Sequence, residues 1–121
     1  MFFDSHAHYY DDRFYGEENP EGAEVLLEEL FAGEVCGIVN IGTCAKTSAL
    51  CIEQAKKFEK MYAAVGIHPE DIEGSPLGLE GELSALRAML EKREENKIVA
   101  CCLSLVYVLF YVISLVISNT F

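Results

Sequence analysis

The sequence predicts an α/β chain of parallel strands covered by helices, about three and a half strand–helix units long, followed by an apolar segment expected to be helical. Three observations carry this reading. Short apolar runs alternate with amphipathic stretches of helical period, the order that places parallel strands under covering helices. All three histidines, His6, His8 and His68, stand just where such runs end. Every charged side chain lies before residue 98, so residues 1–97 carry the whole formal net charge of −11, while residues 98–117 hold no charged residue, His, Gly or Pro.

Phe2-Phe3 before Asp4-Ser5 reads as a very short buried strand that emerges into polar residues at a sheet rim. A polar loop over 9–19 follows. Asn19 offers an N-cap and Pro20 a first-turn proline, so a helix is expected from about Pro20 to Ala32, with Ala23, Leu26, Leu27, Leu30 and Phe31 as its buried stripe and Gly33 as its terminator. Gly37-Ile38-Val39-Asn40-Ile41-Gly42 is the second strand, with Thr43 placed to cap a helix over roughly Cys44 to Phe58. Met61 to Ile67 is the third strand and runs into His68-Pro69. Leu79, Leu83, Leu86 and Leu90 mark a third amphipathic helix, and Ile98-Val99-Ala100 begins a fourth strand. A closed eight-unit barrel takes roughly 250 residues, so 121 residues hold only part of one.

The chain therefore divides into an α/β part over 1–97 and an apolar segment over 98–117. Two readings stand for the segment. It is long enough to cross a hydrocarbon core of roughly 30 Å as a helix, with Arg87, Lys92, Arg93 and Lys97 keeping the head in the cytosol. Alternatively, the sequence after Ala100 is an aberrant tail, the translation of an intron, a frameshift or an alternative exon.

An acidic balance argues against a surface that grips nucleic-acid backbone through Lys and Arg. It leaves room for a nucleic-acid substrate if bound divalent cations supply the positive charge. Five cysteines with no CxxC pair read as reduced, mostly buried apolar residues, and the N-terminal residues carry no signal-peptide pattern.

His6-Ala7-His8 is the sharpest chemical signal. On an extended segment side chains alternate, so two imidazoles at i and i+2 point the same way and can converge on one cation. Imidazole suits zinc and other divalent metals, and Asp4 is a candidate partner for fixing a histidine tautomer. His68 ends the third strand at the same predicted edge. Asp11 and Asp12 are weaker candidates for a metal or substrate, as are Asn40 and Thr43 for hydrogen bonds to substrate.

The runs Phe3-Asp4-Ser5-His6-Ala7-His8, Gly37 to Thr43 and Ala64-Val65-Gly66-Ile67-His68-Pro69, in this order and spacing, resemble the start of a TatD-family metal-dependent deoxyribonuclease over about residues 1–100. The resemblance implies an incomplete (β/α)8 TIM barrel and, in the intact family, hydrolysis of DNA phosphodiester bonds at a site holding one or two divalent cations, Mg²⁺, Mn²⁺ or Zn²⁺. It implies His6 and His8 as metal ligands and His68 as a substrate-positioning residue.

The pattern then breaks. Where the family continues from a Lys-Ile-Val-Ala-like start into a strand bearing a ligand glutamate, this chain reads Cys101-Cys102-Leu103. The family's two further histidines and aspartate have no counterparts in the 121 residues. The expectation is a truncated relative with a weakly held metal and little or no activity on DNA. A second reading is a tail-anchored, non-enzymatic membrane protein whose α/β head binds a partner or a metal, and a third is a hydrolase completed by self-association.

Overall fold

The computed structural model describes residues 1–103. Strand β1 (Phe2–Ala7) leads through a 3₁₀ turn (Asp12–Phe14) to α1 (Glu24–Ala32). Then follow β2 (Val35–Ile41), α2 (Ala45–Lys57), β3 (Met61–Ile67), the short α3 (Pro69–Ile72), α4 (Gly78–Glu91) and β4 (Ile98–Leu103). The strands form one sheet in the order β1-β2-β3-β4, and all three pairings are parallel. This is an incomplete (β/α)8 barrel.

The period-two alternation of the strands sorts their residues between two faces. On one face Ile38, Met61, Ala63, Val65 and Ile67 join Leu27 of α1, Cys51, Ile52 and Ala55 of α2 and Leu86 of α4 in a single core. Deeply buried small residues on α2 bring that helix close to β3, which is buried almost along its whole length. The open ends of α2 are closed by side chains. At its N-terminus the Ala45 N–H donates to the buried carboxylate of Glu82 at 2.5 Å. At its C-terminus the Lys97 ammonium donates to the carbonyls of Ala55 at 2.8 Å and Phe58 at 2.5 Å, where a cation suits the helix dipole.

Several expectations change. Helix α1 starts at Glu24 rather than Pro20, because Gly22 adopts φ +68° with the Tyr15 ring packed against it, a conformation that interrupts a helical run. The first strand exists, but Phe2 and Phe3 are 65% and 55% exposed, since β1 is a sheet edge paired only with β2 among the described residues. The cap of α2 is Cys44 rather than Thr43, with Thr47 Oγ1 accepting the Cys44 N–H at 3.0 Å. Of the five free cysteines only Cys51 is buried, and Cys101 and Cys102 are exposed.

The membrane-spanning helix expected over 98–117 is also corrected. Its first six residues are β4, hydrogen-bonded to β3 through Ala63↔Ile98 to Ile67↔Leu103, and no helix among the described residues is long and apolar enough to cross a membrane. The membrane-anchored localisation loses its support with it. An apolar, β-branched run reads alike as a buried strand and as a spanning helix, and here the neighbouring strand decides. The remainder of that segment lies outside the described residues.

A candidate metal centre at the end of β1

The C-terminal ends of the strands share one edge, and a cleft of about 540 Å³ opens there. Its walls include His6, His8, Thr43, His68, Glu70, Asp71 and Cys102. The topology thus brings all three histidines to one place. His6 is the penultimate residue of β1 and His8 follows the strand immediately, so both side chains leave the face opposite the helix-covered core.

The imidazoles converge through their Nε2 atoms, 3.3 Å apart, with the rings near perpendicular at 76°. Two nitrogens each 2.0–2.1 Å from one tetrahedral Zn²⁺ lie about 3.3 Å apart, so the pair has the spacing that a shared cation requires. The tautomer of His8 is settled by its other nitrogen. Nδ1 lies 2.8 Å from the Ile41 carbonyl, which can only accept, so Nδ1 carries the hydrogen and Nε2 presents a lone pair. His6 Nε2 is then the donor of the 3.3 Å contact. Coordination by both rings requires that His6 proton to leave or to shift to Nδ1.

The partner of the His8 ring is therefore a backbone carbonyl, not Asp4. Asp4 accepts instead from the His6 backbone N–H at 3.2 Å and the Tyr9 hydroxyl at 3.2 Å. The Tyr10 hydroxyl donates to the same Ile41 carbonyl at 3.0 Å and lies 3.1 Å from His8 Nδ1. Burial pushes the Tyr10 phenol above its ordinary range, which keeps it a donor. Neither group has a signature in the sequence, since a carbonyl belongs to every residue and Tyr10 sits in a loop of aromatic and acidic residues.

His68 caps α3. Its Nδ1 accepts from the Glu70 N–H at 3.4 Å, which places the hydrogen of the neutral ring on Nε2. The carboxylate of Glu70 stands 4.0 Å from Nδ1, beyond hydrogen-bond reach. Glu70 and Asp71 make this rim negative, which favours cations and opposes phosphate.

Other candidates fall away from the cleft. Asp11 caps the 3₁₀ turn and pairs with Arg13 at 2.8 Å, and Asp12 is exposed within that turn. Asn40 is wholly buried and bonds to Tyr9 and Gln54 rather than facing the cleft. Thr43 lines the cleft, with its hydroxyl 3.3 Å from that of Thr47.

Among the described residues no group of three or more His, Cys, Asp or Glu side chains is arranged to hold a metal ion. Cys102, on β4, lines the cleft. A family model described as TatD related DNase matches residues 3–102. No curated protein matches the chain.

Proposed function

The chain belongs to the TatD-related DNase family, and from that premise we propose that it carries half of the divalent-metal site of a DNA-hydrolysing barrel and, by itself, cleaves DNA little or not at all. The hydrolase-like part comprises residues 1–97 together with β4. His6 and His8 are the ligands, and His68 is a donor that orients a phosphate oxygen of the substrate. The observation that carries the reading is the 3.3 Å approach of two Nε2 atoms at a strand end, one of them left with a free lone pair because the Ile41 carbonyl accepts from the ring hydrogen on Nδ1.

A bound divalent cation at such a site supplies Lewis acidity and an activated water. The chain's own residues hold and orient: Ile41 and Tyr10 fix the His8 ring, and His68 offers a hydrogen through Nε2. What supports inactivity is the pair's lack of a third ligand among the described residues and the Cys101-Cys102-Leu103 run in place of the family's glutamate strand. Two imidazoles leave a cation mostly solvated, while hydrolysis needs a fixed coordination sphere. The acidic rim adds repulsion toward DNA.

The purified 121-residue chain is incubated with plasmid DNA and Mg²⁺, Mn²⁺ or Zn²⁺. The expected result is no cleavage above the metal-only control. Metal-dependent cleavage that disappears in His6→Ala would overturn the inactivity and leave the ligand assignment standing.

A further inference from the structure

We infer that Asn40 and Gln54 are positioning residues for His8 of the histidine pair, acting through a closed hydrogen-bond ring on the backbone of Tyr9. The inference rests on the reading of His6 and His8 as ligands. The Tyr9 N–H donates to Asn40 Oδ1 at 2.9 Å, Asn40 Nδ2 donates to Gln54 Oε1 at 2.6 Å, and Gln54 Nε2 donates to the Tyr9 carbonyl at 3.1 Å. Asn40 is 0% exposed and Gln54 7%.

The direction of this ring is forced. A backbone N–H can only donate and a backbone carbonyl can only accept, so Asn40 must present its oxygen to Tyr9 and its amide nitrogen to Gln54. Gln54 is then left with one orientation, oxygen toward Asn40 and nitrogen toward the Tyr9 carbonyl. Any other orientation of either amide sets two donors or two acceptors against each other in a buried place, which such groups do not tolerate.

The ring sits where the sheet stops holding the chain. The ladder between β1 and β2 ends at Ala7↔Asn40, so from His8 onward the backbone has left the strand. Asn40, the last partner in that ladder, uses its side chain to hold the chain two residues further on. His8 therefore lies between two fixed points, Ala7 in the ladder and Tyr9 in the ring, and its Nδ1–H meets the carbonyl of Ile41, the residue next to Asn40. Strand β2 thus fixes both the backbone and the ring of one ligand.

A merely structural amide pair would satisfy itself and leave His8 unaffected when broken. The test is made on the full chain in two ways. In metal-free protein, ¹⁵N imidazole spectra read the share of His8 bearing its hydrogen on Nδ1, and amide exchange in β2 and β3 reports the fold. In parallel, Co²⁺ alone is titrated by absorption. Gln54→Met opens the ring at the Tyr9 carbonyl with little change of volume, and Asn40→Asp sets two oxygens face to face at the Gln54 contact.

In whichever variant keeps its strand protection, the expected result is a mixed His8 tautomer and Co²⁺ binding weakened about 10-fold, the lower end of what removing an outer-shell partner does. Wild-type tautomer and affinity with the ring open would overturn the inference. If the wild type shows no Co²⁺ binding that His6→Ala abolishes, the ligand reading fails. Positioning of His8 is then decided by the tautomer alone, with a shift supporting it and an unchanged ring refuting it.

Discussion

Replacing His8 with alanine should remove most of the affinity of this chain for a divalent cation. A structural Zn²⁺ held by four protein ligands contributes about 10–16 kcal/mol near neutral pH. Divided evenly, each ligand carries about 2.5–4 kcal/mol, so two imidazoles give about 5–8 kcal/mol. That corresponds to a Kd between about 0.2 mM and 1 μM. The 3.3 Å spacing and the fixed His8 tautomer favour the tighter end, while moving the His6 proton off Nε2 costs part of that gain. His8→Ala deletes one share and should weaken binding by between about 70- and 900-fold. Zn²⁺ calorimetry measures this, with a Cys101→Ser, Cys102→Ser background separating the imidazoles from the exposed thiols of β4. Wild-type affinity in His8→Ala, or a wild-type Kd no tighter than that of His8→Ala, would refute the reasoning.

Glu82 is 3% exposed and accepts from the Ser75 hydroxyl at 2.6 Å and the Ala45 N–H at 2.5 Å. Hydrogen bonds to a charged group contribute about 1.5–3 kcal/mol each, and offsetting the desolvation of the carboxylate leaves a loss of about 3 kcal/mol for Glu82→Ala, read from urea unfolding. A change below about 1 kcal/mol would count against this capping role. Burial pushes the Cys51 thiol up to about 12, so iodoacetamide near neutral pH should label Cys101 and Cys102 and spare Cys51 in the folded chain. Labelling of Cys51 at a comparable rate would contradict the packing. Hydrogen bonds from Arg13 hold the Asp11 carboxyl at about 2 rather than 3.8. A depressed carboxyl stabilises the fold above its unfolded value, and that contribution disappears as pH falls from about 4 toward 2. Arg13→Ala removes the guanidinium but keeps the backbone N–H that also donates to Asp11, so the midpoint should rise only part of the way toward the ordinary range in an NMR titration, and an unmoved midpoint would assign the shift elsewhere.

The strands and the histidine edge were legible because they rest on period and spacing. His6-Ala7-His8 converges as i, i+2 side chains on extended backbone should, and β3 runs from Met61 to Ile67 as its apolar run indicates. What sequence could not convey was position within the sheet. Phe2 and Phe3 read as buried because they are apolar, yet an edge strand leaves them exposed. Residues 98–103 read equally well as the start of a spanning helix until their pairing with β3 was seen. The start of α1 depended on one glycine at positive φ, which the cap signals at Asn19 and Pro20 did not reveal. At the site itself, the histidine pair was visible while the groups that hold it were not. Asn40 within an apolar strand was the clue, and it pointed to Tyr9 and Gln54 rather than to a substrate.

Because β1 to β4 all run the same way, the two sheet edges among the described residues restrict what can be grafted onto them. A hairpin returns antiparallel, so only one of its two strands could point its C-terminal end toward His6 and His8. A parallel neighbour needs a crossover of a dozen or more residues, usually a helix. A complementing fragment that adds two or more strands in the direction of β4 must therefore join them through crossovers, as strand–helix units. A single short peptide can extend an edge by one strand, whereas a run of strands parallel to β4 comes only with the helices that connect them.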